Sequence, residues 1–306
     1  MQPAPQNPVV SSLHIYPVKS CAAVDVQQVV VSPRGFIIGN ILDRSWMVVD
    51  SHGKLVSQRE QPTLARVKID LVNGANGKAS AIHLSADSML ELTLDASQVR
   101  DERRNLIIHG KPAVGHAASD VADKWFSDYL GQPVFLVHQT EEDVRLCNPD
   151  FSVDPQHDAV SFADGFPYLI TTLGTLKKLN GFLQSPVPMT RFRSNIVIDG
   201  ALPEEEYTWY EVMIGDIGFR FVKPCTRCVM TTIDQTLGLK VDKEPLASLA
   251  KHYFLSEKFG EARVQGAVFG ENAIALNGGS ISIGDEIKPL TTKPKYAFRQ
   301  RTQLSF

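Results

Sequence analysis

Arg44-Ser-Trp-Met-Val-Val-Asp50, then Ser51-His-Gly53, then Lys54-Leu-Val-Ser-Gln-Arg59, is the stretch whose reading decides the fold. The two flanking arms are too short for helices, and the segment between them carries a glycine. The stretch therefore predicts a β-hairpin. Working outward, the same short alternation predicts strands at 26–31, 66–72, 81–85, 90–94, 106–109 and 134–138. The second half repeats it at 195–198, 211–214, 218–222, 273–276 and 281–287. Many short strands divided by turn residues point to sheets closed or packed as barrels or sandwiches, not to a doubly wound parallel sheet.

Three segments break the period. Ser119-Asp-Val-Ala-Asp-Lys-Trp-Phe-Ser-Asp-Tyr-Leu130 sets Val121, Ala122, Trp125, Phe126 and Tyr129 on one helical face, with Ser119 or Asp120 to cap it and Gly131 to stop it. Residues 172–183 repeat Leu at 173, 176, 179 and 183, and 245–254 open a third helix on a proline. The class is mainly β, α+β, with a few placed helices.

A chain of 306 residues suggests two domains. The polar stretch 140–158 reads as the linker, giving domains at 9–139 and 140–290 and a C-terminal tail at 291–306, although the halves have room to interleave. Hydrophobic residues at 43% and charged residues at 21% fit a globular protein. The formal net charge of −3 disfavours a non-specific nucleic-acid binder, leaving room for a local basic pocket. No apolar run approaches the roughly 18–20 residues of a membrane-spanning helix. The Pro-rich lead-in, Met1-Gln-Pro-Ala-Pro-Gln-Asn-Pro8, lacks the basic and apolar regions of a signal peptide. Four cysteines are too few to staple the chain, which fits a reducing compartment. The expectation is a cytoplasmic protein with neither nucleic acid nor membrane as partner.

Several motifs are absent: Gly-x-Gly-x-x-Gly after a strand, a phosphate-binding P-loop, His-Glu-x-x-His and Gly-x-Ser-x-Gly. Chemistry concentrates in Val222-Lys-Pro-Cys225-Thr-Arg-Cys228-Val-Met-Thr-Thr-Ile-Asp234. Its Cys-x-x-Cys has several readings. Structural zinc needs further ligands, and only the isolated Cys21 and Cys147 remain. A thioredoxin-like pair would open a helix, whereas β-branched residues after Cys228 suggest a strand. A single thiolate could ligate a soft metal, with Arg227 and Lys223 near to hold it ionised. A buried, inert thiol is the plain alternative.

Four more clusters offer anion-binding groups. Tyr16-Pro-Val-Lys19-Ser-Cys21 joins a lysine to a hydroxyl, and Asp43-Arg44-Ser-Trp46 brings an arginine to a strand start. Arg191-Phe-Arg193-Ser-Asn195 leads two arginines and an amide into a strand, and Ser161-Phe-Ala-Asp164-Gly-Phe-Pro-Tyr168 is an aromatic turn with one carboxylate. Singly, such groups are usually solvated or paired surface residues. Together they suit a phosphate attached to a planar polar ring.

These stretches, with Ser57-Gln-Arg-Glu-Gln-Pro62, Phe269-Gly-Glu-Asn272 and Ile283-Gly-Asp-Glu-Ile287, resemble the MOSC-domain molybdenum enzymes of the bacterial YcbX type and the mitochondrial amidoxime-reducing component. The resemblance runs from about Leu13 to Leu290. It implies an N-terminal MOSC-associated β-barrel packed on a MOSC β-barrel, with a molybdenum–molybdopterin cofactor between them. On this resemblance Cys228 is the metal ligand and Cys225 is not. Lys19, Ser20 and Arg44 match positions that hold the pterin and its phosphate. Arg193 and Asn195 match cofactor contacts, as do Thr226 and Arg227; Asn272 matches a variable one. Asp164 falls where relatives carry an acidic residue by the substrate opening, and is the candidate proton relay beside Cys228.

The implied activity is reduction of N-hydroxylated compounds (hydroxylaminopurines, amidoximes, hydroxylamines). A rival reading is a non-catalytic MOSC protein that delivers cofactor or sulfur through Cys228. A binding module without chemistry is a third. No cysteine follows Cys228, whereas many YcbX-type relatives continue into a ferredoxin domain. The expectation is no iron–sulfur cluster in this chain and electrons from a separate electron-transfer protein of ferredoxin, flavoreductase or cytochrome type, or from a further segment beyond this sequence.

Overall fold

A computed structural model describes residues 7–75 and 77–299. Most of the Pro-rich lead-in and residues 300–306 of the tail lie outside the described residues. The opening hairpin forms around Trp46–Val49, with Val56 N–H donating to the Val48 carbonyl at 2.9 Å and a tight turn at Gly53. Its second arm ends early. Ser57 turns away because the Glu60 carboxylate accepts from both its N–H and its hydroxyl.

The largest sheet has nine strands, and most of it belongs to the second half of the chain. Its order runs Val24–Val26, Val9–Ile15, Ile196–Asp199, Tyr168–Thr172, Ala262–Ala275, Ile217–Thr226, Trp209–Ile214 and Ile287–Thr292, with Phe254–Phe259 paired on the long strand. The first two strands come from the N-terminal half. In exchange, Gly279–Ser282 crosses to pair with Gln28–Ser32 in a sheet of the first half. The division at 139 and 140 therefore separates the sequence, not the sheets. Smaller sheets carry Arg103–Ile108, Lys111–Ala117, Phe135–His138 and Trp46–Val49, and Lys68–Asn73 with Ala79–Ser85 and Leu92–Asp95.

None of these sheets closes into a ring; each hydrogen-bonded order has two edges. The mainly β class holds, and closure comes from packing instead. The first half lends two strands and receives one, and one core runs through both, from Val10, Leu13 and Ile15 to Phe219, Phe221 and Ile287. The sequence reading missed the parallel pairing of Tyr168–Thr172 with Ile196–Asp199, joined by the helix Leu173–Asn180, and also the strands Lys111–Ala117 and Phe254–Phe259.

The helix Asp120–Leu130 is capped by Ser119, whose side chain accepts from Ala122 N–H, and stops at Gly131 in the left-handed conformation. It buries Ala122, Trp125 and Phe126, while Val121 faces solvent, off the predicted stripe. The expected linker is packed rather than loose: Cys147 and Phe151 are buried, and the Arg34 guanidinium donates to the Thr140, Glu141 and Asp143 carbonyls. The described part of the tail is also held, with Tyr296 buried and Lys293 paired to Glu271. Among the described residues, no helix is long and apolar enough to cross a membrane.

Candidate functional site

The two long central strands aim the chemistry. Where Ile217–Thr226 pairs with Ala262–Ala275, the register slips at Phe221/Lys223 and again at Pro224/Thr226. Such bulges bend a strand and redirect its side chains. The strand then ends, and Cys228 starts a single 3-10 turn, Val229–Thr232. That corrects the strand expected after Cys228: the hydroxyls of Thr231 and Thr232 donate to the Cys228 and Val229 carbonyls and hold a turn instead.

Lys19, Ser20, Arg44, Asp164, Arg193, Asn195, Thr226, Arg227, Cys228 and Asn272 all line one cleft between the two halves of the chain. It holds about 820 Å³ of space free of protein atoms and is open to solvent. Ser20, Arg44 and Arg193 have φ of 72°, 53° and 54°, the left-handed region, although none is glycine. Each such residue costs about 1 kcal/mol or more and persists only where its surroundings enforce it. The enforcement is visible. Arg44 is paired with Asp43 and donates to Asn195 Oδ1 and the Arg193 carbonyl, both at 3.3 Å. The Tyr16 ring lies between the Arg44 and Arg193 guanidiniums, 4.5 and 4.4 Å from its centroid. Gln58 donates to the Ser20 carbonyl at 2.6 Å and exchanges amide hydrogen bonds with Gln235, 3.0 Å each.

Several donors in the residues lining this cleft have no partner. Ser20 Oγ, Arg191 Nε, Arg193 Nη2 and Arg227 Nε are buried and unbonded. A buried orphan costs about 1–3 kcal/mol, and a guanidinium cannot relieve it by shedding its proton. Lys19 and Arg193 are both lowered from their ordinary values, chiefly by burial, with the Arg44 charge adding to it. These groups fit an anion with hydrogen-bond acceptors: a phosphate and a polar ring.

The cysteines divide cleanly. Burial pushes the thiols of Cys21 and Cys147 up to about 12, so neither offers a thiolate at neutral pH. Cys225 and Cys228 are partly exposed and line the cleft. Among the described residues no three or more His, Cys, Asp and Glu side chains converge as a metal site. A metal held here would bring most of its own ligands.

The contacts around Cys228 correct the expected neighbours. Arg227 donates to Cys225 Sγ at 3.0 Å, and Lys223 sits over the Phe151 and Phe166 rings. The cation on Cys228 is Arg59, whose Nη2 reaches Sγ at 3.3 Å. Its Nη1 meets His109 Nδ1 at 3.0 Å, and His109 Nε2 meets Asp164 Oδ1 at 3.0 Å. Arginine only donates, so Nδ1 accepts and Nε2–H donates. Lys19 Nζ closes the chain on the same Asp164 oxygen at 2.5 Å. Burial raises the Asp164 carboxyl, but the Lys19 ammonium and His109 overcome it and hold the group well below the usual carboxylate range. At neutral pH Asp164 has no proton of its own to give. Sequence reasoning gave His109 no functional role, and quoted Tyr16 and Arg59 within motifs without a role. The signal for His109 was its place at the end of strand 106–109, just before Gly110.

Comparison with known proteins places this architecture. The MOSC N-terminal beta barrel domain matches residues 7–133 and the MOSC domain matches residues 157–288, so the chain belongs to the MOSC-domain family. It is similar to mitochondrial amidoxime-reducing component 1 of Homo sapiens, 31% identical over 91% of this chain and 82% of that one. Component 1 of Mus musculus is 32% identical over 91% and 81%. Component 2 of Homo sapiens is 30% identical over 91% and 82%.

Proposed function

We propose that this chain is a molybdenum-cofactor-dependent reductase of N-hydroxylated compounds: hydroxylaminopurines, amidoximes and hydroxylamines. The observation that carries the reading is one arginine-held thiol, Cys228, in a cleft lined by residues with unbonded buried donors, Ser20 Oγ, Arg193 Nη2 and Arg227 Nε among them. The family and the named relatives support it from a separate direction.

The cofactor, when bound, supplies a two-electron metal centre able to remove oxygen from nitrogen. The rest belongs to this chain. Cys228 Sγ is the side chain that would ligate the metal, a soft donor oriented by Arg59. Lys19, Ser20, Arg44 and Arg193 would take the phosphate and pterin, with Asn195, Thr226, Arg227 and Asn272 lining the remainder. Asp164 orients the Lys19 ammonium and the His109 Nε2–H, the two proton-bearing groups at the cleft. Overall, an N–OH group, two electrons and two protons yield N–H and water. The electrons come from a separate electron-transfer protein, and the cytoplasm is the proposed setting.

The test is reduction of benzamidoxime by molybdenum-loaded protein with reduced methyl viologen. Benzamidine should form, and the Cys228→Ser variant should form none. A loaded wild-type protein that leaves benzamidoxime and hydroxylaminopurine untouched overturns the reading. A metal-free protein carrying a persulfide on Cys228 favours the carrier alternative.

A further inference from the structure

A second cleft adjoins the first across a shared wall, Asp164-Gly165-Phe166. It holds about 1480 Å³ free of protein atoms and is open to solvent. Arg145, a further cation lining this cleft, holds the wall by donating to the Ser161, Ala163 and Asp164 carbonyls. The floor is apolar, including Leu106 and Leu146.

Two lysines, Lys111 and Lys223, line this chamber. Among the described residues neither has a carboxylate within ion-pair distance, although acidic residues outnumber basic ones over the chain. Lys223 comes from the bulged position of its strand, which turns it toward the chamber. Its ammonium lies 5.1 Å from the Phe151 ring centroid and 5.9 Å from that of Phe166. Burial lowers it from the ordinary lysine value, with the Lys111 charge adding to the lowering and Cys225 and Glu271 opposing it. Asp164, the carboxylate on the wall, is engaged by Lys19 and His109 on the first cleft's side. Two mutually repelling cations over an apolar floor make a place for an anion attached to a flat ring.

We infer that the second cleft holds an anionic tail, carboxylate or phosphate, of an aromatic N-hydroxylated substrate whose N–OH group lies in the first. This rests on the reductase reading and adds a substrate class to it. Lys223 and Lys111 are then specificity residues for the tail.

Three probes test it on molybdenum-loaded protein: benzamidoxime, 4-carboxybenzamidoxime and 4-(phosphonooxy)benzamidoxime. The wild type should show KM about tenfold lower for an anionic probe than for benzamidoxime. Lys223→Met should raise that KM about tenfold with kcat unchanged and leave benzamidoxime unaffected; Lys223→Arg should restore it. Which anionic probe responds identifies carboxylate or phosphate as the tail. Lys111→Met, at an exposed position, repeats the test should Lys223→Met fail to fold. Equal KM for all probes in the wild type, or a parallel shift of all three in the variants, overturns the inference. Calorimetric titration of the same probes separates it from the parent reading. Charge-selective binding lost in the Met variants without any turnover keeps the chamber and removes the reductase.

Discussion

Two regions in which the molecule buries charge are resolved in different ways. Away from the cleft, Glu204, Glu206 and Glu271 are buried carboxyls. Glu206 accepts from the Thr172 and Thr175 hydroxyls at 3.1 and 2.8 Å, Glu271 is paired with Lys293 at 3.2 Å, and Glu204 with Lys178 and Lys295 at 2.6 and 2.5 Å. Burial pushes Glu206 up to about 8 and raises Glu271. A carboxyl that lacks a partner can take up a proton. The cleft's guanidiniums have no such exit: Arg191, Arg193 and Arg227 stay charged with orphaned N–H groups. The acidic region is met mostly by groups from its own chain; in the cleft Arg44, Lys19 and Arg191 are paired with Asp43, Asp164 and Asp234, whereas Arg193 and Arg227 have no carboxylate partner among the described residues. Arg34 and Arg100 also carry a buried, unbonded Nε, so it is the gathering of several such donors along one cleft that marks the binding site here.

Four perturbations sharpen or break that contrast, taken from the largest expected effect downward. Cys228→Ser should cut reductase turnover by more than about 100-fold, beyond the loss typical of an outer-shell partner, with little change in melting temperature. A variant that keeps its turnover in the viologen assay breaks the assignment of the cleft. Glu206→Gln addresses the acidic side. Its carboxyl titrates near 4.5 when unfolded and near 8 when folded. Between those values the unfolded chain holds fewer protons, so wild-type stability falls as pH rises from 4.5 to 8, by roughly 3–5 kcal/mol. The Gln variant should lose most of that fall in urea denaturation at pH 5 and pH 9. Equal slopes in both proteins contradict it.

Lys293→Met removes the counter-ion of Glu271 and should cost about 2 kcal/mol, softened because the carboxyl can protonate. Molybdenum content should not change; a fall would mean the two regions are coupled. Ser20→Gly is the mildest. It relieves a left-handed serine and removes an orphaned hydroxyl, so the cofactor-free protein should gain about 1 kcal/mol while holding cofactor more weakly. Thermal melts with and without cofactor read both effects.

How far the sequence carried this account follows from which signals are local. Strand alternation, the Ser119 cap and Gly131 stop are written within a few residues, and they were legible. So were the ten candidate site residues, which all line one cleft, because Lys19, Arg44, Arg193 and Cys228 sit in recognisable short stretches, whereas His109 on the same lining sits in none. The strand exchange was not, since pairing of Val9–Ile15 with Ile196–Asp199 depends on contacts across the whole chain. Open sheets in place of closed barrels follow from that exchange. The Arg59–His109–Asp164 chain was hidden for the same reason: its members are 50 and 55 positions apart. Proximity in sequence gave Cys228 the wrong cations, Arg227 and Lys223, while the bulges in the strand turned those side chains elsewhere.

The central claim is that the cleft's buried guanidiniums, Arg193 foremost, hold the cofactor. Metal analysis of purified wild-type and Arg193→Met protein, each paired with the melting temperature of its cofactor-free form, tests it most directly. The prediction is near-stoichiometric molybdenum in the wild type, less than about one-tenth of that in the variant, and closely similar melting temperatures. Full molybdenum in Arg193→Met would contradict it.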